Sequence, residues 1–130
     1  MWDDNAKFTK ALENLKTDVS APCVYHGPAP MTEELFNKIE WIVGVDENNV
    51  SITTTDNPHP EYTWEKMSAE FSRLQTEYDA QEYARTREFS YPVTKEFMEA
   101  YTEKEIGGDS TKWDAYVIKY NKVRSDNPKP

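Results

Sequence analysis

Cysteine is almost absent from this sequence, in which Cys23 is the only one among 130 residues. No disulfide can form within the chain, and we expect a reducing compartment. No run of about 18 apolar residues occurs, so the sequence predicts no membrane-spanning helix. The first residues, MWDDNAKF, contain neither a basic start nor an apolar core. We therefore expect no signal peptide.

Glycine and histidine are also scarce, with four glycines and two histidines. No glycine-rich phosphate loop is present, and the segment DENN lacks the Asp and Gly frame of a calcium loop. Cys23 lies three residues before His26, a spacing that could begin a zinc site completed by His59. Both histidines fall in proline-rich connectors, where a loosely held imidazole is common. We therefore predict no catalytic residues, no metal site, no cofactor and no enzymatic activity.

Basic residues are fewer than acidic ones: the chain has 15 basic and 24 acidic side chains, which give a formal net charge of −9. This charge disfavours nucleic acid and anionic membranes as partners, since both attract clustered Lys and Arg. A solvated acidic surface is the simplest interpretation, and an acidic protein that mimics DNA is the alternative.

Apolar residues are few and rings are many. The apolar share is 37%, whereas aromatic residues reach 13%. Tyr and Trp suit protein interfaces because each combines a large apolar body with one polar group. This composition indicates a homo-oligomer or a member of a larger assembly.

The spacing of apolar residues predicts an α+β fold that is mainly helical. Helical spacing runs over 4–19, where Asp3 or Asp4 could cap the start. Three prolines and a glycine in 20–30 indicate an extended connector that cannot be a helix or a central strand. Alternating residues then predict a small β-hairpin over about 38–55, which turns at VDENN because Asn tolerates positive φ.

One long helix is predicted over about 63–89. Its apolar residues, Trp64, Met67, Phe71, Leu74 and Tyr78, follow the spacing of alternating a and d positions. Two interpretations remain open: this stripe faces the protein's own core, or it packs against copies of itself.

Tyr91-Pro92 stops the long helix, and two short C-terminal helices are predicted after it. The first spans about 93–104 and ends at Gly107-Gly108, and Asp109 or Ser110 caps the second. The sequence thus divides into an N-terminal helix with its proline-rich linker (1–30), a β-hairpin region (31–62) and a long helix with a helical module (63–130).

Two arginines lie among rings in the stretch EYARTREFSYP. Arg85 and Arg87 could stack on neighbouring rings and fix the corner before Pro92, which is the interpretation we favour. They could also form an exposed docking surface, since Tyr and Arg dominate interface hot spots. The candidate protein-interface residues are Trp64, Phe71, Tyr78, Arg85, Arg87, Tyr91, Trp113 and Tyr120.

The order of residues from Glu77 to Pro130 resembles a known module. The stretch runs Tyr-x-x-x-Arg, then Tyr91-Pro92, a short helix, Trp113, a basic helix and a final Pro-Lys-Pro. This order is similar to that in the C-terminal module of tailed-bacteriophage tail-fibre and tail-assembly proteins, some of them chaperone-like. The resemblance extends more weakly to residue 31. It implies a viral protein that acts by contact and performs no catalysis.

These observations lead to an expected function. The resemblance implies a phage tail or tail-fibre component, or a factor that assembles fibres, with other tail or fibre proteins as partners. The expected location is the virion, or the host cytoplasm during assembly. Two alternatives remain: another virion component, such as a head decoration or neck protein, and an acidic inhibitor of a host nucleic-acid enzyme.

Overall fold

The computed structural model describes residues 2–17 and 24–130, and it confirms the mainly helical α+β class. No helix in these described ranges is both long and apolar enough to cross a membrane. The elements in chain order are α1 (Asp4–Leu15), β1 (Tyr25–His26), α2 (Glu33–Phe36), β2 (Glu40–Val45), β3 (Ser51–Thr54), α3 (Trp64–Ala80), α4 (Glu82–Ser90), α5 (Thr94–Glu105) and α6 (Thr111–Asp126).

The chain divides into two compact units, an N-terminal unit (Met1–Tyr78) and a C-terminal unit (Asp79–Pro130). The division differs from the three parts expected from the sequence. The N-terminal helix and the hairpin region share one core with most of α3, because apolar residues from all of them pack together.

Helix α1 begins where the sequence predicts. The side chain of Asp3 accepts a hydrogen bond from the backbone N–H of Ala6 at 2.9 Å, which satisfies one of the free donors of the first turn. The helix ends at Leu15, earlier than the predicted residue 19. Residues 18–23, which include Cys23 and the start of the proline-rich connector, lie outside the described residues.

The predicted hairpin is present as β2 and β3, paired antiparallel with Trp41 opposite Thr54. Asn49 has a φ of 60° in the turn, as its residue type allows. The side chain of Asp46 accepts hydrogen bonds from two backbone N–H groups of this turn, those of Asn48 and Val50. A third strand, β1, pairs with β2 and was not predicted. It is a two-residue edge strand, which agrees with the exclusion of a central strand from the connector.

The core lies within the N-terminal unit and is rich in rings. The side chain of Trp41 is buried beside Tyr62, whose ring stacks on it with 6.2 Å between centroids. The Tyr62 hydroxyl donates a hydrogen bond to the backbone carbonyl of Leu12 at 3.3 Å, so its polar group is satisfied inside the core. The buried residues of this cluster are Phe8, Ala11, Leu12, Phe36, Ile39, Trp41, Tyr62, Met67, Phe71 and Leu74.

The predicted long helix over 63–89 is in fact two helices, separated at Gln81. Gln81 has φ −96° and ψ 1°, outside the helical range. The apolar stripe of α3 ends at Tyr78, and α4 buries no residue. Residues 79–82 are all exposed, so no packed apolar face holds the chain in one continuous helix at this point.

Helices α5 and α6 form an antiparallel pair joined by the predicted glycine connector. Gly108 has a φ of 68°, a left-handed conformation that suits glycine. A side chain at Gly107 would come within 2.8 Å of the Glu103 carbonyl oxygen. The N–H of Asp109 donates to the same carbonyl at 3.1 Å, and the Asp109 side chain accepts from Thr111. These bonds end α5 and lead into α6.

Candidate functional site

Three of the candidate interface residues contribute to the N-terminal unit itself. Phe71 is buried in the core, and Trp64 packs beside it with 6.1 Å between ring centroids. The ring of Tyr78 stacks on that of Trp2 at 5.6 Å. The structure therefore supports the core-facing interpretation of the α3 stripe.

Arg87 joins α4 to the end of α6. Its Nε donates to the backbone carbonyl of Asn127 at 2.8 Å, and its Nη2 donates to that of Arg124 at 3.3 Å. These carbonyls belong to the last turn of α6, where helix geometry leaves acceptors without partners and partial negative charge accumulates. The guanidinium also lies 5.1 Å from the centre of the Tyr83 ring. These contacts fit the corner-fixing role expected from the sequence, with Tyr83 as the ring beside the Arg87 guanidinium.

Tyr91 and Tyr120 reinforce this corner. Their rings stack with 4.8 Å between centroids and planes 15° apart. Nη1 of Arg124 donates to the Tyr120 hydroxyl at 3.4 Å. This hydrogen bond is the main reason that the pKa of Tyr120 lies below its usual value, and a second from Tyr91 adds to it. Arg85 is partly buried on α4.

Trp113 is only half-buried. Its ring contacts Phe97 and Tyr101 of α5, each at 6.1 Å between centroids, and the Lys104 ammonium lies 4.6 Å from its centre. Trp113 is thus part of a line of rings along the seam between α5 and α6, and that line continues through Tyr116 to Tyr120.

Ion pairs also connect α5 with α6. Lys119 Nζ lies 2.8 Å from a carboxylate oxygen of Glu96, and Lys112 Nζ lies 2.6 Å from one of Glu103. Hydrogen bonding to Glu103 is the main cause of the raised pKa of Lys112. These pairs are exposed, so each adds little stability in water. The apolar contact between α5 and α6 is formed by the rings of the aromatic seam.

A surface stripe on α5 was not among the candidates. Val93 is the N-cap residue of α5, and Phe97, Met98 and Tyr101 follow it on the helix; we name these four residues, in the order Val93, Phe97, Tyr101 and Met98, the α5 stripe. Their exposed fractions are 63%, 39%, 49% and 61%, respectively. Of the residues in α5, only Ala100 is buried. Phe97 and Tyr101 border the aromatic seam with Trp113, and each of the four side chains still leaves at least 39% of its surface exposed.

Charge is distributed unequally between the units. The N-terminal unit contains fourteen acidic and six basic residues, which give a formal net charge of −8. The C-terminal unit contains ten acidic and nine basic residues, which give −1. Association through the C-terminal unit is thus opposed far less by charge than association through the N-terminal unit.

Among residues 2–17 and 24–130, no three His, Cys, Asp or Glu side chains come together as metal ligands. The suggested zinc pair cannot be placed, because Cys23 lies outside the described residues. His59 packs against Trp41 with 5.2 Å between ring centroids, so its ring has a structural contact in the core.

Fold and surface together define a small α+β protein with one well-packed acidic unit and one near-neutral helical unit that leaves an apolar stripe exposed. No protein-family model, curated protein or solved structure matches this chain significantly. Its function must therefore be inferred from its own residues.

Proposed function

We propose that this protein is a phage tail-associated structural or assembly protein that acts by protein–protein contacts and without catalysis. It serves as a tail or tail-fibre component, or as a factor that helps fibres assemble. The observation that supports the contact role is the exposure of Val93, Phe97, Met98 and Tyr101 in the C-terminal unit. All residues of this unit, 79–130, are described, and Ala100 is its only buried apolar residue. The link to tails rests on the sequence resemblance over residues 77–130.

The chemistry of the C-terminal unit fits this role. Seven of the thirteen large apolar side chains that the described chain exposes lie in it. Aromatic residues and Met are enriched at interfaces, and a contiguous exposed apolar surface commonly marks a binding site. We expect the partners to be other tail or fibre proteins, in the virion or in the host cytoplasm during assembly.

Recovery of the protein from particles tests this proposal. Purified phage particles and fibre-assembly intermediates from infected cells are separated on a density gradient, and this chain is quantified by mass spectrometry. We expect a fixed ratio to a tail or fibre protein in at least one fraction. Absence of the chain from both particles and intermediates would contradict the proposal, and a fixed ratio to a head or neck protein would replace it with another virion role.

A second candidate function is inhibition of a host nucleic-acid enzyme, and the charge of −8 on the N-terminal unit favours it. An acidic surface can occupy the basic groove of such an enzyme. Immobilised protein would then capture a host polymerase or nuclease, and the capture would weaken as salt screens the charges. Capture that does not depend on salt would argue against this second candidate.

A further inference from the structure

We propose that two copies of this chain pair through the α5 stripe, with their α5 helices antiparallel about a two-fold axis. This inference rests on the proposed contact function and names the partner as a second copy. The stripe consists of Val93, Phe97, Met98 and Tyr101, and Trp113 extends it on α6 by contacting Phe97 and Tyr101.

The C-terminal unit buries little apolar surface of its own, since Ala100 is its only buried apolar residue. Small units of this size rarely hold together on their own apolar burial, and they add disulfides, a structural metal or association with another chain. The sequence has no cysteine in 79–130, so a disulfide within the unit is excluded. The described residues bring together no metal-ligand group. Association with another chain is a source that the exposed α5 stripe can supply.

The stripe is large enough for a weak dimer. If a fully exposed aromatic side chain offers ~200 Å² and an aliphatic one ~150 Å², the four exposed fractions leave roughly 350 Å² of apolar surface per copy. Apolar atoms form about 65% of a homodimer interface, so the contact buries roughly 1,100 Å² in total. This total is near the lower limit of about 1,000 Å² for a specific interface. Contacts of this size are typical of weak, transient association, so we expect dissociation in roughly the micromolar range.

Charge favours a second copy as the occupant. The C-terminal unit has a formal net charge of −1, so two copies can approach through it with little repulsion. Lys95 lies in the first turn of α5 and Glu105 at its last residue. Within one copy, Lys95 and Glu105 form exposed pairs with Glu99 and Lys104 at 3.8 and 3.6 Å. In an antiparallel pair, Lys95 of each copy also approaches the end of α5 that holds Glu105 in the other. The contact is thus self-complementary in charge as well as in apolar surface.

Sedimentation of the purified full-length chain tests the pairing. We expect the weight-average mass to rise from monomer to dimer between low micromolar and near-millimolar concentrations. Met98→Asp should weaken the dimer at least about tenfold, because it places a charge at the centre of the apolar contact. Ile118→Asp is the matched control, since Ile118 is exposed on α6 outside the stripe, and it should leave the dissociation constant unchanged. Circular dichroism checks that both variants remain folded.

A charge exchange tests the orientation. Glu105→Lys should weaken the dimer about three- to tenfold, which corresponds to loss and reversal of two symmetric surface pairs. The double variant Lys95→Glu with Glu105→Lys should restore the dissociation constant to near its original value. Failure of the double variant to recover, with both variants folded, would overturn the antiparallel arrangement.

The outcomes separate this inference from the proposed function. A chain that stays monomeric at near-millimolar concentration overturns the pairing, as does a dimer that Ile118→Asp weakens as strongly as Met98→Asp. If that monomer still co-purifies with tails or fibres, the contact function stands and the stripe binds a different protein. If the chain is monomeric and absent from particles and intermediates, both proposals fail.

Discussion

Removal of the Arg87 guanidinium should destabilise the junction of α4 and α6. The side chain donates to the Asn127 carbonyl at 2.8 Å in a partly buried position. Hydrogen bonds from charged groups contribute about 1.5–3 kcal/mol. The longer, exposed bond to Arg124 adds little, and the contact with the Tyr83 ring contributes about 0.5–1 kcal/mol. Because water partly replaces these interactions, we expect Arg87→Ala to lower the free energy of unfolding by about 2 kcal/mol.

Arg87→Lys separates charge from geometry. Lysine keeps a positive charge near the end of α6, where interaction with the helix dipole is worth about 0.3–1 kcal/mol. It cannot reproduce two donors held in the guanidinium plane. The loss should therefore be smaller than for alanine, at about 1 kcal/mol.

Urea denaturation followed by far-ultraviolet circular dichroism measures these changes, and amide hydrogen exchange locates them. Protection should fall mainly for the backbone amides in the last two turns of α6. Lys122→Ala is the control, because the pair of Lys122 with Asp126 is exposed and lies within α6, and it should change stability by less than about 0.5 kcal/mol. An Arg87→Ala protein as stable as this control would refute the assignment of Arg87 as the link between the helices.

Three further predictions concern single side chains. Trp113→Ala should lower the free energy of unfolding by about 1.5–3 kcal/mol in thermal denaturation, because this ring is half-buried. Removal of a fully buried Trp typically costs about 3–5 kcal/mol. A loss above about 3 kcal/mol would contradict the half-buried position of the ring. Hydrogen bonding from Arg73 is the main cause of the lowered pKa of Glu70, so Glu70 stabilises the fold at neutral pH, and this contribution disappears as pH falls below about 4.5. Glu70→Gln should therefore flatten the loss of stability on acidification, and an unchanged pH profile would contradict this. Asn49→Val should destabilise the hairpin by about 1–2 kcal/mol, because valine does not tolerate a φ of 60°, whereas Asn49→Gly should be nearly neutral in the same denaturation assay.

Local patterns in the sequence were sufficient to predict the elements with strong local signals. The Asp3 cap, the hairpin with its turn at Asn49 and the glycine connector at Gly108 all depend on residues close to each other in the chain. The break at Gln81 carries no glycine or proline, so no local signal marked it. The strand β1 was missed because two residues are too short to show alternation.

The candidate surface was harder to predict for a physical reason. Phe71 on α3 and Phe97 on α5 both belong to apolar stripes with helical spacing. Spacing shows which side chains share a face, but only the tertiary fold decides whether another element covers that face. Phe71 is buried, whereas Phe97 keeps 39% of its surface exposed beside Trp113, so spacing alone did not distinguish the two stripes.

The hydrogen bond between Arg87 and the Asn127 carbonyl has a practical consequence for protein engineering. A truncation that stops at residue 126 would delete this acceptor together with the proline-rich tail. Such a shortened protein would therefore lose part of the link between α4 and α6, even though every helical residue had been retained.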